Sequence, residues 1–319
     1  MFGLLTWAII FIISMFVLIK ASDYFTDSAE RIGIFFGLPA FLIGVTIVSI
    51  GTSLPELITS LFAVLRNSSE IVVSNVIGSN IANIFLVLGV SAIVGKRLKI
   101  GFEIIRVDLP ILIGSAFLLA VTIYDGIFTL PEALLCIAGI IIYLTYTVKT
   151  EKKHPDIMAE KEMKTILKTK KLNWTTWIIL ITSSLFIYLG AKYTIESVIA
   201  LSEILNIGKE IIAAGAIALG TSLPELVVSV NAARKGKAEI AVGNVLGSCI
   251  FNSLAVMGIS ALIGSLIVPP IMISFGLPMM LIATFLYFFM TQTKEITRWE
   301  GMILLLFYVF YIGKLMSLF

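Results

Sequence analysis

The chain writes one apolar segment twice. Gly51-Thr52-Ser53-Leu54-Pro55-Glu56-Leu57 returns as Gly220-Thr221-Ser222-Leu223-Pro224-Glu225-Leu226, an offset of 169 positions. The offset holds onward without a gap. Glu70-Ile71 matches Glu239-Ile240, Asn75-Val76 matches Asn244-Val245, and Gly78-Ser79 matches Gly247-Ser248. Asn83, Gly89 and Gly95 then match Asn252, Gly258 and Gly264. A repeat of this length predicts a fold made of two copies of one unit. Each copy also carries a glutamate inside strongly apolar sequence.

The setting of that glutamate is a membrane. Hydrophobic residues make up 59% of the chain and charged residues 13%, with a mean hydropathy of +1.05. Soluble domains hold about a quarter charged residues. The apolar material falls in blocks of about 20 residues, enough for an α-helix to cross a bilayer core of about 30 Å. Ten candidate spans result: 3–20, 39–65, 71–94, 108–124, 129–148, 174–191, 210–233, 240–264, 269–290 and 299–317. The first lacks a basic leader and reads as a retained span, not a cleaved signal. One polar interval, the lysine-rich stretch 149–173 with His154, separates five spans from five. The expected domains are therefore 1–148 and 174–319, each a five-helix repeat, joined by the linker. Because five is odd, the second copy enters the membrane from the opposite side, which predicts inverted topology. With the linker in the cytoplasm, 19 of the 23 Lys and Arg residues lie inside. Positive residues favour the cytoplasmic side, so both termini are expected outside a multi-pass protein of the cell membrane. Cys136 and Cys249 lie in apolar segments and read as packing residues. The net charge of +3 gives no sign of nucleic acid, and nothing points to a protein partner.

The repeated motif reads as a cation site. Pro55 has no N–H for the Gly51 carbonyl, so the second span is expected to break at Gly51–Pro55, and the seventh at its copy. Thr52 and Ser53 place hydroxyls at the break, and Glu56 follows over the same face. Carbonyls, hydroxyls and a carboxylate suit hard cations such as calcium and sodium. The next span adds Asn75, Ser79 and Asn83 at four-residue spacing, and the second copy adds Asn244, Ser248 and Asn252. Small and amide side chains often serve only as glue between membrane helices. A carboxylate at mid-span is different, since it costs about 2.5 kcal/mol or more and is retained for function. Asp108 and Asp125 read as interfacial, Lys192 and Glu196 as a pair within one turn. Glu70 and Glu239 open their helices.

At these residues the chain resembles the calcium/cation antiporter superfamily, in its prokaryotic sodium/calcium exchanger branch. The two GTSLPE blocks, each followed by G-S-x-I-x-N (Gly78 to Asn83, Gly247 to Asn252), are similar to that family's two α-repeats. The likeness covers about residues 40–95 and 209–264, and the ten-span layout extends it to the whole chain. It implies that Glu56 and Glu225 coordinate calcium together with Thr52 and Thr221. It also implies sodium sites at Ser53, Ser79, Ser222 and Ser248, with the carbonyls of Ser49 and Ala218. Asn83 and Asn252 fall where relatives carry Asn or Asp.

The expected function is secondary active antiport of calcium against sodium by alternating access. Proton coupling through the same carboxylates is the first alternative, and a cation channel the second. No nucleophile or cofactor motif is present, so enzymatic activity and cofactors are not expected. The partners expected are the two transported ions and the bilayer.

Overall fold

The computed structural model describes residues 2–36, 38, 40–65, 67–100, 108–151, 173–204 and 222–316. These fold into ten helical segments and two short β-ribbons. α1 is Phe2–Phe35. α2 covers residues 40–65 as Ala40–Ile43, a π-helical turn Gly44–Val48, and Ser49–Leu65. α3 is Glu70–Gly95, with a π-helical turn at Asn83–Leu88. β1 is Arg97–Lys99, α4 Leu109–Thr122, β2 Ile127–Phe128 and α5 Leu130–Glu151. After the linker come α6, Trp174–Ile204, and α7, Leu223–Arg234. α8 is Ala238–Ala261, with a π-helical turn at Asn252–Val256. β3 is Leu266–Ile267, α9 Met272–Thr291, β4 Glu295–Thr297 and α10 Arg298–Leu315. Seven of the described helices are long and apolar enough to cross a membrane, and α4 is a shorter apolar helix.

The outer surface is apolar as well as the core. Leu5, Ile12, Phe16, Ile142, Ile181 and Leu306 are among many large apolar side chains on the outer surface. An apolar surface this extensive is one that lipid covers. Inside lies α8, whose apolar window is wholly buried, whereas only 17% of the α1 window is. Gly243 and Gly247 put bare backbone against the Phe41 and Val45 carbonyls, and Gly44 does the same against Ile240. Such small residues let α2 and α8 approach closely, which favours dispersion contacts and interhelical hydrogen bonds.

Two expectations about local structure change. The first span was placed at 3–20, but α1 continues to Phe35. Its second half is amphipathic: Ser22, Phe25, Thr26, Ala29 and Ile32 are buried at helical spacing, which carries the helix past its apolar run. Asp23, Asp27 and Glu30 pair with Lys235 and Lys237, beyond the end of α7. The second correction concerns the break at Gly51–Pro55. Ser49–Leu65 is one α-helix with Pro55 inside it. The departure from α-helical geometry lies earlier, at Gly44–Val48. There the widened turn leaves carbonyls that hydroxyls take up: Thr46 donates to Leu42 at 2.6 Å, and Ser49 donates to Val45. Local π adjustments and Ser/Thr side chains are how membrane helices satisfy such groups around a proline. In the second copy, α7 starts at Leu223 with Ser222 as N-cap and Pro224 in its first turn. A proline there loses no hydrogen bond. Residues 205–221, which hold Ala218 and Thr221, lie outside the described residues, as does most of the 149–173 linker with His154.

The ribbons and one polar contact carry the repeat into three dimensions. β1 pairs antiparallel with β4, and β2 with β3. Leu98 opposes Ile296, and Phe128 opposes Leu266. These are the same pair with the halves exchanged, because past Gly264 the second copy is one residue shorter. Near the centre, Asn80 donates to the Cys249 carbonyl at 3.4 Å, and the Cys249 thiol reaches the Asn80 carbonyl at 3.9 Å. These two residues stand at matching repeat positions and contact each other reciprocally. Cys249 and Cys136 are buried and free, as expected. Lys192 and Glu196 pair at 3.9 Å. Asp108 is buried and accepts from the Tyr143 hydroxyl at 3.2 Å, so it is not simply interfacial.

Candidate functional site

The two glutamates lie on α2 and α7 and belong to one buried cluster. Glu56 is 1% exposed and Glu225 is fully buried, and each lies within Coulombic reach of the other. Ser53 donates to Glu225 Oε1 at 3.0 Å, which joins the first motif directly to the second. The remaining Glu225 oxygen and both Glu56 oxygens have no hydrogen-bond partner among the described residues. A buried charge without a partner is strongly unfavourable, so oxygens arranged this way are suited to a cation.

The neutral oxygens divide into those already engaged and those left over. The single Thr52 proton has two acceptors in reach, the Ser49 carbonyl at 3.3 Å and Asn244 Oδ1 at 3.2 Å. Ser49 turns its hydroxyl back onto its own helix. Among the described residues, the buried Ser222 and Ser248 hydroxyls and both amide atoms of the buried Asn83 and Asn252 have no partner. Ser79 is buried as well. Asn83 and Asn252 each open the π-helical turn of their helix, at matching repeat positions. Such π turns recur at functional sites because they re-aim side chains out of helical register. Among the described residues no group of three or more His, Cys, Asp or Glu side chains gathers. Two carboxylates and several neutral oxygens are thus the available donors, a set suited to calcium or sodium.

Some polar contacts carry no sequence expectation. Asn80 donates to Ser253 at 2.8 Å, and Asn244 donates to Ser229 at 2.8 Å. Ser60 and Ser229 stand at matching positions in the two copies, as do Ser91 and Ser260. A serine held at both repeat positions inside apolar sequence was the available signal.

Known proteins resemble this chain along nearly its whole length. The family described as sodium/calcium exchanger protein matches residues 6–149 and 175–316. The sodium/calcium exchanger MaX1 of Methanosarcina acetivorans is 34% identical over 94% of this chain and 96% of its own. The putative antiporter CaxA of Alkalimonas amylolytica is 31% identical over 97% and 98%. A solved structure of the sodium-calcium exchanger NCX_Mj superimposes with a TM-score of 0.82 at 28% identity, covering 98% of this chain and 99% of its own.

Proposed function

This chain belongs to the sodium/calcium exchanger family, and we propose that it exchanges calcium for sodium across the cell membrane by alternating access. The observation that carries this reading is the buried pair Glu56 and Glu225, one from each repeat, with three of their four oxygens unpartnered among the described residues. Together they hold a charge near −2. One calcium ion or several sodium ions discharge it, and the two loads exclude each other. That exclusion couples the fluxes. With no cation bound, two unpaired charges at membrane depth disfavour the crossing, so the empty carrier does not leak.

In this reading Thr52, Thr221, Ser53, Ser79, Ser222, Ser248, Asn83 and Asn252 supply neutral oxygens, together with the carbonyls of Ser49 and Ala218. The two halves, 1–148 and 174–319, are inverted repeats around a cytoplasmic linker at 149–173, with both termini outside and ten crossings. The ribbons support the inversion. α4 leads from β1 to β2, and α9 from β3 to β4, so the ribbons lie at opposite ends of the bundle. Exchanging the halves exchanges the ribbons, and therefore exchanges the two membrane faces. The reciprocal contact of Asn80 with Cys249 fits a two-fold axis passing between them.

The test is flux in liposomes loaded with sodium and diluted into sodium-free medium containing radioactive calcium. Uptake that requires internal sodium and ignores an imposed pH gradient is expected. Uptake that follows the pH gradient without sodium would replace sodium by protons as the coupling ion. Calcium flux without any counter-ion would make the chain a channel.

A further inference from the structure

Each repeat carries a serine and an asparagine outside the ligand set above: Ser60 and Asn75 in the first, Ser229 and Asn244 in the second. The second pair is joined. Asn244 Nδ2 donates to Ser229 Oγ at 2.8 Å, and Asn244 Oδ1 receives the Thr52 hydroxyl at 3.2 Å. Ser229 and Asn244 have no exposure, and Thr52 has 1%. The first pair is not joined. Ser60 Oγ and Asn75 Nδ2 are buried atoms without a partner among the described residues, although α2 and α3 pack against each other. Asn75 is only half-buried, in contrast to Asn244. Two identical residue pairs are thus in different states within one molecule.

The joined pair holds a hydroxyl of the ligand set. A threonine hydroxyl has one proton and two lone pairs, and a cation can use only a lone pair. The Thr52 proton has two acceptors in reach, Asn244 Oδ1 at 3.2 Å and the Ser49 carbonyl at 3.3 Å, and given to either it leaves a lone pair for a cation. Ser229 holds the other end of the amide, so Asn244 keeps its place against Thr52. We propose that Asn244, oriented by Ser229, is a positioning residue for the cation site, and that Ser60 and Asn75 form the counterpart relay when the site faces the other side of the membrane. The proposal rests on the alternating-access exchange reading above. One buried pair is made and one is left unmade in each state, so the two states carry matched costs and both stay accessible.

The experiment uses the full chain inserted in liposomes in one orientation, with half-maximal calcium concentration for sodium-driven exchange measured separately on each side. Ser229→Ala is expected to raise that concentration on one side by about fivefold, the loss of one buried hydrogen bond, and to change the other side less than about twofold. Ser60→Ala is expected to do the same on the opposite side. Ser229→Thr and Ser60→Thr, which keep the hydroxyl, should restore wild-type values on both sides. A thermal unfolding midpoint for each variant shows that the site is read in folded protein. Alanine variants that act on the same side, shift neither side, or match their threonine counterparts would overturn the inference while leaving exchange itself intact. A wild-type chain with no sodium-driven calcium flux would instead overturn the exchange reading, and this inference with it.

Discussion

Glu56 and Glu225 make opposite demands on the protein. Each costs stability as a buried carboxylate, and in the proposed exchange each holds the cation. Glu56 has neither oxygen hydrogen-bonded among the described residues, while Glu225 has one bond, from Ser53. Glu56→Gln therefore removes an unpaired buried charge and should raise the unfolding temperature of cation-free protein. It should also abolish calcium exchange. Glu225→Gln should likewise abolish exchange, with a smaller gain in stability because its bond to Ser53 partly offsets the burial. Calcium at 100 times its dissociation constant stabilises a binding protein by about 2.7 kcal/mol. That increment should be present in the wild type and missing in both variants. Thermal unfolding with and without calcium reads all of this, and wild-type flux in either variant would refute the site. Both glutamates were legible in the sequence from their repeat spacing. For the serines behind the relay only the repeat offset was a signal, since a serine in an apolar helix usually bonds its own backbone and does not name its partner.

At the scale of the helix, backbone approach decides what a residue tolerates. A β-carbon on Gly243 would meet the Phe41 carbonyl oxygen at 2.6 Å and the Val45 amide nitrogen at 3.0 Å. Neither atom can swing aside as a side chain would. Gly243→Ala should then destabilise by about 1–3 kcal/mol, as overpacking does. Gly114 in α4 has nothing within 4 Å of the same position among the described residues, so Gly114→Ala should gain about 0.5–1 kcal/mol of helix stability. Comparing the two unfolding midpoints in one detergent checks the contrast. The proline in α2 carries a related lesson. Its missing donor was legible, but the place where the helix yields was not. The helix departs from α geometry at Gly44–Val48, where Thr46 and Ser49 take up the Leu42 and Val45 carbonyls.

At the scale of the molecule, ion pairs fasten α1 to the segment between α7 and α8. Lys237 reaches Asp27 at 2.9 Å and Glu30 at 2.7 Å, and Lys235 reaches Asp23 and Asp27, each at 3.1 Å. Burial opposes the Lys237 charge, yet its hydrogen bonds to Glu30 and Asp27 hold its pKa above the ordinary lysine value. A raised cation pKa gives stability that is complete below the unfolded lysine value and fades as pH rises through the folded one. Lys237→Met should therefore cost about 1 kcal/mol or less at neutral pH, given the partial exposure of the cluster. The deficit should shrink in high salt and vanish at strongly alkaline pH. Unfolding midpoints across salt and pH measure it. No sequence pattern indicated this contact, because its members are some 200 positions apart.

The sequence alone determined the membrane setting, the two-copy plan and the two carboxylates. Each follows from local chemistry: apolar blocks long enough to span, a motif returning at a fixed offset, and a charge too costly to keep without use. Tertiary structure alone decided which atoms of the site are engaged. Ser53 meets Glu225 and Thr52 meets Asn244, whereas Ser222 and both Glu56 oxygens have no partner among the described residues. Two copies of one motif share their local preferences, so the sequence gives them the same roles. The difference between the copies resides in contacts between helices, which no single segment encodes.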